Sequence, residues 1–144
     1  LENNMRQLPL LLLILFLIPS IQAQSVLGKW ENRNEEGKVN SIVEVYEKGD
    51  KIYGKVDHIV KKEDRDRLCT KCEGVLKDEP VQGLEIMKGL KKDGDEYVGG
   101  TIVDPKTGKK YRCKIWLDED DPDILIVRGY ISFFYKTKEW RRAE

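Results

Sequence analysis

The sequence predicts an all-β protein, an eight-stranded antiparallel up-and-down barrel forming one domain over residues 24–144, behind an N-terminal signal peptide over residues 1–23. Three observations lead there. From Val26 onward, apolar and polar residues alternate in short runs separated by clusters of Gly, Asp, Asn and Lys, the period-two signature of half-buried strands joined by tight turns. No stretch outside the leader keeps a helical apolar period. The chain behind the leader has about 120 residues, the size of one domain, and strands this short lose their open edges when the sheet closes on itself.

The leader comes first. Met5-Arg6-Gln7, the apolar run Leu8 to Ile18 and the small or neutral residues Pro19 to Gln24 read as a secretory signal peptide cleaved after Ala23. A membrane anchor needs roughly 20 apolar residues, and this run is bounded by Pro9 and Pro19. Gln24, rather than Cys, follows the leader, so no lipid anchor is expected. Leu1 to Asn4 precede Met5 and read as an over-extended start. The mature chain is therefore expected to be exported, to the periplasm or outside the cell, with no membrane span after cleavage and as a monomer.

Charge narrows the partners. Lys+Arg and Asp+Glu number 26 each, without the basic excess of a nucleic-acid binder or the Lys/Arg block that holds an anionic membrane. Neither partner is expected.

Each strand then follows in order. Leu27 to Arg33 is turned by Glu35-Glu36-Gly37-Lys38, and Val39, Ser41, Val43 and Val45 alternate with polar neighbours up to Lys48-Gly49-Asp50. Ile52, Gly54, Val56, His58 and Val60 form the apolar face of the third strand. A charged segment without periodicity, residues 61–79, interrupts the series and holds Cys69 and Cys72. The pattern resumes with Leu84 to Lys91, Glu96 to Val103, a sixth strand over Tyr111 to Leu117, then Ile124 to Ile131 and Phe133 to Arg142.

Gly28-Lys29-Trp30 opens the first strand. A small barrel needs a bulky plug at its closed end, and a Trp beside a Gly supplies one. Lipocalins and their calycin relatives begin in this way, with a late-strand Arg covering the Trp; Arg128 and Arg141 are the candidates. Taken with Ile52-Tyr53-Gly54-Lys55-Val56, Cys69-Thr70-Lys71-Cys72, Gly99-Gly100, Asp104 to Lys109, Tyr111-Arg112-Cys113-Lys114, Val127-Arg128-Gly129-Tyr130 and Trp140-Arg141, the chain resembles domain of unknown function 2147. The resemblance spans nearly the whole mature chain and implies an exported bacterial protein with a lipocalin-like barrel. It carries over no catalytic residue. The stretch Ser132-Phe133-Phe134-Tyr135-Lys136 departs from the Gly-containing turn that the family pattern implies.

The cysteines hold the most evident chemistry. In an oxidising compartment Cys69 and Cys72 are candidates for a structural disulfide; a bridge from either to Cys113 is the alternative, and Cys113 otherwise reads as an inert buried thiol. A redox pair would open a helix after a strand, and structural zinc wants four ligands, whereas here one pair stands with Cys113 and the lone His58. Asp118 to Asp123 lacks the spacing and Gly of a calcium loop. No cofactor or metal is implied, and no nucleophile, base and orienting group come together, so the protein is expected not to be an enzyme.

An eight-stranded barrel either fills itself with side chains or holds one small ligand. The expected function is binding of a small apolar or amphipathic ligand, with Trp30, Ile52, Val56, His58, Tyr111, Ile115 and Arg128 as the candidate lining. Gly54, Gly99, Gly100 and Gly129 would relieve crowding within the wall. The alternative is a filled barrel that serves the envelope as a structural or protein-interaction module.

Overall fold

The computed structural model describes residues 24–144. The signal peptide expected over residues 1–23 lies outside them. Eight antiparallel strands run in sequence order: β1 (Gly28–Arg33), β2 (Val39–Lys48), β3 (Lys51–Ile59), β4 (Glu85–Asp93), β5 (Glu96–Val103), β6 (Lys110–Leu117), β7 (Ile124–Ile131) and β8 (Phe134–Arg142). Each pairs with the next, and β1 returns to β8 to close the barrel. Among the described residues, no helix is long and apolar enough to cross a membrane.

The seam is the weakest part of the wall. β1 pairs with β2 at six positions but meets β8 only through Trp30 opposite Arg142 and Glu31 opposite Arg141. Beyond Glu31 the two strands part, so the barrel is closed at one end and open at the other. The closed end carries the β2–β3, β4–β5 and β6–β7 turns; the mouth carries the other turns and the long β3–β4 connection.

Packing fills the closed end. Trp30, Val43, Met87, Leu90, Ile115 and Leu125 are all fully buried inside the barrel. Space for them comes from glycine: a Cβ on Gly54 would stand 3.1 Å from the Met87 Cβ, and one on Gly100 would fall 2.4 Å from the Lys88 carbonyl oxygen and 2.7 Å from the Leu90 Cγ. Gly99 differs from these two. It faces open space at φ +78° where the β5–β6 register shifts, so it serves a bulge that side-chain-bearing residues rarely adopt, rather than relieving crowding.

Arg142 locks this end. Its guanidinium lies 4.2 Å from the Trp30 ring centroid and donates to the Ser25 carbonyl at 3.0 Å, the Pro122 carbonyl at 3.3 Å and the Asp123 carboxylate at 3.1 Å. The Trp30 indole N–H donates to the Val26 carbonyl at 2.9 Å. The residue covering the Trp is thus Arg142, not Arg128 or Arg141. Trp30 faces inward, and the strict alternation of β8 puts Arg142 on the inner face with Trp140, while Arg141 points out to Asp121.

The β3–β4 connection is folded back on the mouth. Two single turns of 3-10 helix, Lys62–Asp64 and Gly74–Leu76, flank a disulfide between Cys69 and Cys72, whose Cα atoms are 5.3 Å apart. Both cysteines are buried in the main core, and the Cys69 amide donates to the Glu79 carbonyl at 2.7 Å. The connection packs against the β5–β6 turn so closely that a Cβ on Gly108 would overlap the Lys71 carbonyl. Cys113, the remaining cysteine, is a buried free thiol.

The last hairpin closes without glycine. Ile131 pairs with Phe134 across a two-residue turn in which Ser132 takes a positive φ of 52°. Small polar residues tolerate this region better than branched or bulky ones.

Candidate functional site

Toward the mouth the packed interior gives way to a cavity. Its larger part, about 480 Å³, lies between the β1–β2 turn, the start of β1's free edge, the β3–β4 connection and β8; a deeper part of about 130 Å³ reaches down to Trp140. The larger part falls in the range of roughly 300–1,000 Å³ that small-molecule sites occupy. A recess of about 720 Å³ at the opposite end is lined mostly by residues of the β4–β5 and β6–β7 turns, charged in large part, and has the character of a solvated surface.

Strand alternation decides what the cavity sees. Val127 and Leu125 face inward on β7, and they pair with Lys138 and Trp140 of β8. Lys136, Lys138 and Trp140 therefore share the inner face, and all three line the cavity. Val56, Ile59, Ile86 and Tyr111 supply apolar and aromatic wall. Asn32 comes from β1 above Trp30, where the seam has opened, and Arg67 from the β3–β4 connection.

Among the described residues, the buried side-chain nitrogen and oxygen atoms without a hydrogen-bond partner are the Asn32 Oδ1, the Arg67 Nε and the Trp140 Nε1. All three belong to residues that line this cavity. An unmade hydrogen bond on a buried polar atom costs about 1–3 kcal/mol, so their concentration at one place is a property of the site and not of the fold at large.

The seven candidate residues divide three ways. Val56 and Tyr111 line the cavity. Trp30, Ile52 and Ile115 face inward but lie within the packed part. His58 and Arg128 are on the outer wall. His58 is displaced by a bulge: Val43 pairs with Val56 but Ile42 pairs with His58, so Asp57 is an extra residue and the alternation inverts beyond it. Its ring meets the Arg65 guanidinium at 3.3 Å instead. Arg128 lies 5.1 Å from the Trp116 ring centroid and 4.6 Å from that of Tyr135, and donates to the Thr137 hydroxyl at 2.8 Å.

The other aromatics mostly clad the outside. Tyr46 and Tyr53 stack at 6.1 Å beside Lys48 and Lys55, and Tyr130 meets Tyr135 at 6.1 Å. The lining that sequence reading missed includes Asn32, Ile59, Arg67, Ile86, Lys136, Lys138 and Trp140. A signal for three of these was present: Lys136, Lys138 and Trp140 alternate in one strand, so once Trp140 is taken as buried the two lysines share its face.

Among the described residues, no group of three or more His, Cys, Asp or Glu is arranged to hold a metal ion. Burial pushes the Cys113 thiol up to about 12, which keeps it protonated and unreactive near neutral pH.

No curated protein matches the chain in sequence. Among solved structures it is similar to protein HP1028 from Helicobacter pylori, described as belonging to the lipocalin family, with a TM-score of 0.70 and 18% identity over 83% of this chain and 84% of that one. At that identity the likeness concerns the fold, a lipocalin-like barrel. Residues 28–142 match the family described as uncharacterized protein conserved in bacteria, DUF2147. From the first strand of the barrel to the arginine that seals its closed end, the chain belongs to the DUF2147 family.

Proposed function

We propose that the protein is an exported, non-catalytic carrier or sensor barrel that binds a small amphipathic molecule in its mouth. The observation that carries this reading is the change along the barrel axis from solid packing around Trp30 to an open cavity with apolar walls and inward polar groups. Export rests on the leader, and the Cys69–Cys72 disulfide accords with an oxidising compartment. Native mass spectrometry of protein gently extracted from its own host tests binding. The reading expects a small molecule that co-purifies and is lost on Tyr111→Ala. Repeated absence of any adduct, with no response to a panel of amphiphiles, would defeat it.

A second reading has its own observation. Every large apolar residue exposed among the described ones, Val60, Leu68, Val75, Ile131, Phe133, Phe134 and Tyr135, sits on the β3–β4 connection or the β7–β8 hairpin tip. Both are at the mouth. Exposed apolar groups gathered at one end mark an interaction surface, and an envelope-interaction module would use this one. Phe133→Ser with Phe134→Ser separates the readings: loss of a pulled-down partner with retained small-molecule binding would favour the module.

A further inference from the structure

The cavity's charge is lopsided. Five basic residues line its larger part, Arg33, Arg67, Lys106, Lys136 and Lys138, against three acids, Glu35, Glu36 and Asp104. Two of the eight are already in ion pairs, Arg33 with Glu31 and Glu36 with Lys38 at 3.3 Å, and the Asp104 carboxylate accepts the Lys106 backbone N–H at 2.9 Å. Arg67, Lys106, Lys136 and Lys138 make no ion pair with any described residue.

The two β8 lysines stand on the inner face, directly across from Gly129 and Val127, and the Tyr111 side chain lies against Gly129, where a Cβ would stand 3.1 Å from the Tyr111 Cβ. Beneath them the Trp140 ring is almost wholly buried and its N–H has no acceptor. Arg67 brings a second buried donor, its Nε, to the same cavity. Both lysines are accessible to solvent because the mouth is open. Protein nevertheless surrounds Lys138 enough that desolvation lowers its pKa from the ordinary value; Lys136 and Lys106 push the same way, and Asp104 and Glu35 oppose them. Cationic groups in a concave, partly dry site, with unused donors pointing at no protein acceptor, are the complement of an anion.

We propose that the mouth cavity selects an amphiphile with an anionic head, a carboxylate or phosphate held by Lys136, Lys138 and Arg67, with its apolar body against Val56, Tyr111 and Trp140. The inference rests on the ligand-binding reading and adds the chemistry of the head. It also accounts for lysines at positions where a lipid-filled barrel of neutral specificity would carry apolar residues.

The test compares three probes of one chain length, decanoate, decyl phosphate and decanol, by isothermal titration calorimetry on the full mature chain. The expected result is that at least one of the two anions binds at least about tenfold more tightly than the alcohol, as one charge-assisted pair would give. The better of the two anions then identifies the head as carboxylate or phosphate. Lys136→Gln with Lys138→Gln should bring that anion to the alcohol's affinity and leave decanol unchanged; circular dichroism checks that the variant folds. Equal binding of anions and alcohol overturns the anionic head while the binding reading stands. Anion binding that survives the double substitution also overturns it. Failure of all three probes overturns both.

Discussion

Removing the Arg142 side chain should loosen the closed end of the barrel more than any other single charge deletion. In Arg142→Ala the Trp30 ring loses a cation at 4.2 Å from its centroid, and the carbonyls of Ser25 and Pro122 lose charged donors at 3.0 and 3.3 Å. A cation–π contact in a partly desolvated place is worth about 1–2 kcal/mol. A hydrogen bond from a charged donor contributes about 1.5–3 kcal/mol, but these carbonyls lie at the barrel's end, where water replaces the lost partner in part. The backbone bond from the Arg142 N–H to the Asp123 carbonyl, 2.7 Å, survives the substitution. The sum is about 3 kcal/mol, which for a domain of this size lowers Tm by roughly 10–15 °C. Urea and thermal unfolding followed by far-ultraviolet circular dichroism measure it without relying on Trp30 fluorescence, which the substitution itself alters. Arg141→Ala is the control. Its pair with Asp121 spans 3.6 Å between half-exposed groups, so it should cost at most about 0.5 kcal/mol. Equal effects of the two substitutions, or an Arg142→Ala variant as stable as the parent, would refute the clasp.

Gly100→Ala should cost about 2 kcal/mol or more, because its Cβ meets the backbone at Lys88 and cannot move it aside; urea denaturation reads this directly. With a thiol reagent at pH 8, native protein should show no reactive thiol and denatured, non-reduced protein one, since Cys113 is buried and the other two cysteines are bonded; a native reaction would contradict that burial. Glu85 supplies a pH effect. Burial pushes its pKa up, but hydrogen bonds from the Tyr46 hydroxyl and Lys48 outweigh that and leave it below the usual value. A pKa depressed on folding adds stability that is present above the unfolded pKa of about 4 and disappears as pH falls through the folded one. Glu85→Gln should therefore be less stable than the parent at pH 7, by under about 1 kcal/mol because Lys48 is well exposed, and the gap should close in acid. A gap that widens with falling pH would reverse the sign and refute the assignment.

The strands were legible because most of their length carries a period-two pattern, and the turns between them, Ser132-Phe133 excepted, are written in Gly, Asp and Lys. The site was legible only where that period holds unbroken. In β8 it does, so Lys136, Lys138, Trp140 and Arg142 fall on one face once Trp140 is taken as buried. In β3 it does not. A single extra residue at Asp57 turns His58 outward and Ile59 inward, and nothing in Val56-Asp57-His58-Ile59 marks the bulge. Arg67 was beyond reach for another reason: its segment has no period, and its place over the mouth depends on contacts distant in sequence, the Cys69–Cys72 disulfide turn resting against Gly108.

The open seam connects these features. Had β1 and β8 stayed paired past Glu31, Asn32 would have faced a neighbouring strand and the inner lysines of β8 would have been enclosed without room for counter-ions. Enclosing them uncompensated costs several kcal/mol per charge. A barrel that places Lys136 and Lys138 inside therefore has two physical options, to part the wall and admit water or to admit an anion. This one parts the wall after Glu31 and Arg141, before β8 reaches Lys138 and Lys136 on the way to the mouth. That makes the width of the seam and the occupancy of the cavity linked quantities. Binding an anion at Lys136 and Lys138 should draw β1 and β8 together, and slower amide hydrogen exchange at Asn32 and Arg33 in the presence of the bound anion would report it. Unchanged exchange at those two amides under saturating anion would show that the gap is a fixed feature of the barrel and not a response to the charges inside it.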